Sequence, residues 1–371
     1  MKKRKRIVKH LESVHGFRVV ALLDCDRELH NRYGGVMLIK KLLTKFLFPG
    51  IKVYKGCDIT RDGTHADDIF IIPDCEMYES LENIILEKQL GSNSHIYIYD
   101  CNSGKMAERQ YTGPVLMRIG YHVSWRCNLR CKGCFHWSNL YKGNKQGDLV
   151  QFKKDLIRLN ELFGKIKIID LVGGEPLLNP HISDFIIVAR SIFPETVINV
   201  VSNGLLIPKV SKDIFEVMRT NQASFQITNY PPTGRIKDEI IEILNKYDVK
   251  YTFSAPVKEF YSYYTEKIQN PEKSFKKCYF WECHALWNGK LSVCGMPIYY
   301  AESKEYIPFK RKIQKGDFID IYNAKSGEEI LEKLRQPTPF CRYCDTHKRI
   351  HIPWEGNYTS AFPKCKKVES M

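Results

Sequence analysis

Residues 117–134 read MRIGYHVSWRCNLRCKGC, a short apolar run followed at once by three closely spaced cysteines. The run has the length and the apolar character of a strand that is covered on both faces of a sheet. Over the next hundred or so residues, strand-length apolar runs alternate with amphipathic helical patterns at intervals of about 25–30 residues. Such alternation predicts sequential βα units that form a parallel sheet.

The predicted strands share a content rich in Ile, Val and Phe, and they lie at 117–124, 166–172, 197–202, 223–228 and 249–254. Because βαβ crossovers are right-handed, repeated units curl into a barrel with its chemistry at the carboxyl ends of the strands. We therefore expect an α/β protein with a partial barrel of the (βα)6 type over residues 118–260.

The first 105 residues show a separate pattern, with strands predicted at 19–23, 68–72 and 95–99 and a helix between the last two. This region resembles the Rossmann-like modules that precede some sugar-modifying enzymes. A dinucleotide site needs a glycine-rich turn after the first strand, and that turn is not found here. Although Asp24 stands where a ribose-binding acid would, we expect a structural or partner-docking module, joined to the barrel by a linker at 106–117.

Composition restricts the class of protein. The 371 residues are 43% hydrophobic and 27% charged, which is typical of a soluble globular protein and excludes disorder and membrane spanning. The basic run at 2–6 is not followed by an unbroken apolar stretch, so we expect a cytoplasmic protein. The net charge of +15 would attract anions, but basic runs such as 2–6 and 364–367 are more often solvated, and no RNA-binding motif is found.

Thirteen cysteines without a secretory signal are better explained as metal or redox ligands than as disulfides. Cys127, Cys131 and Cys134 lie in one loop directly after the first barrel strand. Crowded thiolates select iron–sulfur clusters or zinc. Three ligands on a 4Fe-4S cluster would leave one iron open to bind another molecule. We expect the scattered thiols to be buried or incidental: Cys25, Cys57, Cys75, Cys101 and Cys365.

The Cys-x3-Cys-x2-Cys loop resembles the signature of the radical SAM superfamily, and the resemblance extends over roughly residues 115–350. It implies that the open iron binds S-adenosylmethionine (SAM), and that reductive cleavage gives a 5'-deoxyadenosyl radical, which abstracts hydrogen from a substrate. One position departs from the family. The residue before the third cysteine, commonly aromatic and packed near adenine, is Gly133, so we assign the adenine contact to Phe135.

The resemblance also implies a SAM-binding segment after the second strand, in which glycines allow close backbone approach and Glu175 offers a carboxylate to the methionine ammonium. Positions after the third and fourth strands match those that contact the sugar and carboxylate of SAM. The implied cofactor-binding residues are Gly173, Gly174, Glu175, Pro176, Ser202, Asn203, Thr228 and Phe135. Gly-Gly, Ser-Asn-Gly and Thr-Asn are also ordinary turn sequences, and that alternative stays open.

A second cysteine set at 275–350 resembles the twitch domain, the shorter relative of the SPASM domain. The resemblance implies an auxiliary 4Fe-4S cluster held by Cys278, Cys294, Cys341 and Cys344. Trp287–Lys290 predicts a two-residue hairpin turn between two strands. Four thiolates could also hold zinc. Cys283 is a core residue, a substitute ligand or a hydrogen donor, and residues 351–371 are expected to be a tail.

Segments 317–324 and 337–344 resemble a branch of the superfamily found among polysaccharide-associated enzymes. The resemblance implies a small polar substrate, carbohydrate-like or nucleotide-linked, an electron donor such as flavodoxin or ferredoxin, and an auxiliary cluster that accepts or relays electrons. Three alternatives stay open: a peptide-modifying or an RNA-modifying enzyme of the same superfamily, and a non-catalytic zinc-stabilised scaffold. The sequence assigns no catalytic residue.

Overall fold

The computed structural model describes residues 21–23, 52–54, 69–73, 95–99, 106–109, 114–265, 267–280, 283–348 and 350–356. The chain divides into two compact units, Met1–Gly113 and Pro114–Met371. The division falls within the interval 106–117 expected as a linker, but that interval contains a strand and the start of another. In the described part of the chain, no helix has both the length and the apolar character needed to span a membrane.

The first unit contains a five-stranded sheet. Its strands are β1 (Ala21–Leu23), β2 (Lys52–Tyr54), β3 (Ile69–Pro73), β4 (His95–Tyr99) and β5 (Met106–Arg109). The order is β2-β1-β3-β4-β5, and all neighbours are parallel except β4 and β5. The predicted strands agree with β1, β3 and β4. The short β2 and β5 were not predicted because neither contains an extended apolar run. Asp24 and the predicted helix lie outside the described residues.

The second unit contains the remaining strands, which are β6 (Val115–Ser124), β7 (Lys165–Gly173), β8 (Val197–Ser202), β9 (Ser224–Ile227), β10 (Lys250–Phe253), β11 (Glu259–Ser262), β12 (Ala285–Trp287), β13 (Lys290–Ser292), β14 (Ile319–Asp320) and β15 (Ile350–Pro353). The helices described are α1 (Leu149–Phe163), α2 (Ile182–Ile192), α3 (Asp213–Thr220), α4 (Pro231–Arg235), α5 (Lys237–Lys246), α6 (Pro271–Lys276), α7 (Met296–Ser303) and α8 (Gly327–Leu334).

Strands β6 to β10 are parallel neighbours in chain order, within a sheet of order β10-β9-β8-β7-β6-β12-β13-β14. The five strands predicted from the sequence are confirmed, with ends that agree within two residues. A sixth sequential unit is not found among the described residues. After β10 the chain forms β11, which pairs with β15 outside this sheet, and the next parallel strand, β12, adds beside β6.

The helices form where apolar residues repeat every three or four positions. Helix α1 begins after Asp148, whose side chain accepts hydrogen bonds from the backbone N–H groups of Val150 and Gln151. It buries Phe152 against Tyr121 of β6, with ring centroids 4.5 Å apart. These two residues belong to one large cluster of buried apolar side chains that joins the helices to the strands.

Polar side chains form a row across neighbouring strands of this sheet. Asp170 on β7 accepts a hydrogen bond of 2.8 Å from Asn199 on β8, whose side-chain oxygen accepts one of 2.7 Å from Ser224 on β9. Arg118 on β6 lies 3.5 Å from Asp170. Because these pairs satisfy each other, the row joins the strands without leaving a buried charge unpaired.

Candidate functional site

The three-cysteine loop begins directly after β6. Burial raises the pKa of Cys127, and the charges of Glu175, Cys134 and Cys131 raise it further. Burial also raises the pKa of Cys134, and that of Cys131 to about 12. The thiols therefore lie near one another in a poorly solvated place, where they are neutral unless a cation stabilises the thiolates.

Soft thiols that converge in this way fit an iron–sulfur cluster or zinc. Among the described residues, no three His, Cys, Asp or Glu side chains are yet positioned to hold a metal ion. The loop thus supplies three soft donors, which would have to lie closer together than they do in this structure to share one cluster.

The end of β7 runs against the backbone of the cysteine loop. Gly174 N–H donates to the Ser124 carbonyl at 2.8 Å, and Glu175 N–H donates to the Arg126 carbonyl at 2.7 Å. A Cβ atom added at Gly174 would collide with the Arg126 carbonyl oxygen. Glycine is therefore required here by the close approach of two backbone segments, whatever ligand binds.

Glu175 is fully buried and joins the ends of β7 and β8. Its Oε1 accepts hydrogen bonds from Leu177 N–H at 3.1 Å and Ser202 Oγ–H at 2.8 Å, and its Oε2 accepts one from Asn203 N–H at 2.8 Å. Burial raises the pKa of Glu175 to about 7, and these bonds oppose the rise. Pro176, which follows it, begins a short 3-10 turn. Because Oε2 accepts a single bond, it retains acceptor capacity for a ligand.

Asn203 connects β8 to the cysteine loop. Its side-chain Nδ2 donates to Asn128 Oδ1 at 2.7 Å and lies 3.7 Å from Cys127 Sγ. A continuous chain of contacts therefore runs from the first cysteine through Asn203 to Glu175. Sequence reasoning did not identify Asn128, although its position beside Cys127 was a usable signal.

The end of β9 lies next to that of β8, since Thr228 N–H donates to the Ser202 carbonyl at 2.9 Å. Tyr230, two residues further on, lies near the three cysteines and Glu175. Burial is the main cause that raises the pKa of Tyr230 well above its usual value, and the negative charges of these four residues raise it further. Sequence reasoning missed Tyr230, which follows a strand end as Thr228 does.

Phe135, assigned to adenine, packs on Phe280 with ring centroids 4.7 Å apart. It lines a cavity of about 40 Å³ that also contacts Cys134 and residues of the second cysteine set. Gly133 has a φ of 77°, and the side chain of Ile352 lies against it, where a side chain at position 133 would otherwise extend.

The second set of cysteines also converges. Burial raises the pKa of Cys294 well above its usual value, and the charges of Cys344, Cys341 and Cys278 add to the rise. Three of these four, Cys278, Cys294 and Cys344, line the cavity beside Phe135. Cys283 is exposed, which excludes its assignment to the core.

The predicted hairpin turn is confirmed. Trp287 pairs with Lys290 across β12 and β13, and Asn288 and Gly289 have φ angles of 49° and 72°, as a type I′ turn requires. Asp155 of α1 holds this turn by accepting hydrogen bonds from Gly289 N–H at 2.9 Å and from Tyr322 Oη–H at 2.7 Å.

Residues 121–276 match the model of the Radical SAM superfamily, so the chain contains a radical SAM domain. The GTP 3',8-cyclase of Trichodesmium erythraeum is 33% identical over 103 residues, and the match covers 24% of this chain and 28% of the cyclase. The chain thus matches little more than a quarter of that relative's length.

The comparison with solved structures matches the chain to BtrN in complex with AdoMet and 2-DOIA, at 14% identity and a TM-score of 0.37 over 63% of this chain and 94% of that one. Streptococcus suis SuiB bound to S-adenosylmethionine matches at 12% identity and a TM-score of 0.32, over 66% of this chain and 51% of that one.

Proposed function

We propose that this protein is a radical SAM enzyme whose SAM site lies at the carboxyl ends of β6 to β9. The observation that carries the proposal is the connected network from Cys127 through Asn203 to Glu175, within a domain that matches the superfamily. When bound, a 4Fe-4S cluster and SAM supply the reductive cleavage that generates a 5'-deoxyadenosyl radical.

The protein's own residues have separable roles in this proposal. The thiolates of Cys127, Cys131 and Cys134 would hold the cluster through three of its irons, and the fourth iron would be available to SAM. The Oε2 of Glu175 accepts a hydrogen bond from the ammonium group of SAM, while its other bonds hold the carboxylate in place. Ser202, Asn203 and Thr228 border the same strand ends and orient the rest of the ligand.

The substrate that we propose is small and polar, either carbohydrate-like or nucleotide-linked. The nucleotide option is supported by the 33% identity over 103 residues to a protein named for its action on GTP. A flavodoxin or ferredoxin would supply the electron in the cytoplasm, and the first unit would serve a structural or docking role.

We further propose that Cys278, Cys294, Cys341 and Cys344 hold an auxiliary 4Fe-4S cluster that accepts or relays an electron. Their mutual charge interactions support a shared metal site. Zinc is the competing occupant, because four thiolates suit either metal.

Anaerobic reconstitution followed by incubation with SAM and a reductant tests the proposal. We expect 5'-deoxyadenosine, and candidate sugars and nucleotides can then be screened by product mass. Stoichiometric zinc without SAM cleavage would support a non-catalytic scaffold and contradict the proposal.

A further inference from the structure

Residues 351–356, expected from the sequence to belong to a tail, instead fold over the three-cysteine loop together with Ile350. Strand β15 pairs with β11 and brings the following residues to this loop. Lys132 N–H donates to the Glu355 carbonyl at 2.8 Å, and Lys132 Nζ lies 3.0 Å from Glu355 Oε2. The segment is therefore tied to the middle of the loop by a backbone and a side-chain contact.

Trp354 lies in the part of this segment that covers the three-cysteine loop. Its backbone N–H donates to the Lys258 carbonyl at 2.9 Å, and its ring stacks on Tyr230 at 6.1 Å and 26°. Ile352, two residues before it, covers Gly133, and Glu355, the residue after it, is bonded to Lys132, so Trp354 lies over the loop with its side chain next to Cys131. Among the described residues, however, no atom completes a hydrogen bond with the buried indole nitrogen.

We propose that Trp354 directs its indole N–H at the Cys131 sulfur and thereby raises the reduction potential of a cluster held by Cys127, Cys131 and Cys134. The inference rests on the proposed function, since it requires that cluster. A donor beside a ligating sulfur stabilises the more negative, reduced cluster more than the oxidised one. Trp354 is thus a positioning residue, which acts on the metal through its ligand.

The buried, unpartnered state of the indole nitrogen favours this role. A buried N–H without a partner is costly in a folded protein, and a ligating thiolate in the loop would supply the acceptor that this N–H lacks. Lys132 follows Cys131 in the chain, and Glu355 follows Trp354. Because Lys132 and Glu355 are bonded to each other, they hold the indole of Trp354 beside the loop when the metal binds.

Trp354→Phe tests the proposal because it keeps a ring on Tyr230 but removes the N–H. The measurement is an EPR-monitored redox titration of the anaerobically reconstituted full chain without SAM. The loop cluster's signal is the one absent from a variant with all three loop cysteines changed to Ala. Trp287→Phe is the matched control, because its indole nitrogen is also buried without a described partner but its ring packs on Tyr121 and Trp125.

We expect Trp354→Phe to make one-electron reduction of this cluster about tenfold less favourable, which corresponds to a midpoint lower by about 59 mV. Trp287→Phe should leave the midpoint unchanged, and Trp354→His, which retains a ring N–H, should stay closer to wild type than the Phe variant. An unchanged midpoint in a Trp354→Phe protein with full iron content would overturn the inference.

If Trp354→Phe does not retain the cluster, Trp354→His decides the question. A midpoint closer to the wild-type value than to the value about 59 mV below it supports the donor role, and a midpoint lowered by about 59 mV or more contradicts it. Failure of the proposed function gives a different result, since the wild-type protein would then bind zinc or show no loop cluster at all.

Discussion

Replacing Glu175 by Ala is expected to weaken SAM binding and to destabilise the protein without removing the loop's iron. The carboxylate is assigned to the ammonium of SAM, so its loss removes one charge-assisted hydrogen bond from the complex. Such a bond contributes about 1.5–3 kcal/mol, or roughly 10- to 150-fold in affinity. Iron content should not change, because the metal ligands are the cysteines.

The structure adds a stability effect to this prediction. Ala leaves the buried N–H groups of Leu177 and Asn203 without their acceptor. At about 1–3 kcal/mol for each unsatisfied donor, the free energy of unfolding should fall by about 2–6 kcal/mol. Glu175→Gln, although nearly the same in shape, should also lower the free energy of unfolding. The two backbone donors occupy different carboxylate oxygens, so the amide NH₂ must face one of them, and about half of this loss should remain.

SAM affinity is measured by equilibrium dialysis on reconstituted protein, with iron content on the same samples and urea unfolding on the apoprotein. Asp155→Ala is the matched control, because it also removes a fully buried carboxylate that accepts a backbone hydrogen bond, from Gly289, but Asp155 is not among the residues assigned to SAM, so SAM affinity should not change. Wild-type SAM affinity in a folded, iron-replete Glu175→Ala protein would refute the assignment and leave residues 173–176 as a turn.

Three further predictions concern other parts of the chain. Replacing Cys341 and Cys344 by Ala should remove the auxiliary cluster and abolish product formation. Uncoupled formation of 5'-deoxyadenosine should survive, because the three-cysteine loop and residues 173–176 contain the proposed SAM contacts. Product formation at the wild-type rate would reduce the auxiliary cluster to a structural role. The isolated unit Met1–Gly113 should show no micromolar affinity for NAD or a nucleotide sugar in calorimetry, since its sequence shows no glycine-rich phosphate turn. Burial lowers the pKa of His284 to about 4, so its contribution to the free energy of unfolding is present above pH 6.5 and is lost as pH falls towards 4, by at most about 3 kcal/mol. In urea unfolding, His284→Asn should make the free energy of unfolding depend less on pH over this range. An unchanged pH dependence would contradict the assignment.

Local patterns were enough to predict the five sequential parallel strands of the large sheet. Apolar periodicity is a property of neighbouring residues, and strands β6 to β10 end within two residues of the predicted positions. The hairpin between β12 and β13 was predictable for the same reason, since Asn288 and Gly289 accommodate the positive φ angles of a type I′ turn.

Contacts between distant segments could not be predicted. Asp155 looks like an ordinary charged residue of an amphipathic helix, yet it is fully buried and accepts hydrogen bonds from Gly289 and Tyr322. The segment containing Trp354 was expected to be part of a tail, because four residues of β15 carry little signal without their partner strand. Its pairing with β11 joins residues about ninety positions apart.

The central claim is that the loop of Cys127, Cys131 and Cys134 holds the cluster that cleaves SAM. Iron and sulfide content and 5'-deoxyadenosine formation should be measured side by side in the wild type and in the variant with all three cysteines changed to Ala. With two 4Fe-4S clusters, we expect about eight irons and eight sulfides in the wild type, about half of that in the variant, and no SAM cleavage by the variant. Stoichiometric zinc with little iron, or SAM cleavage that survives in the variant, would contradict the claim.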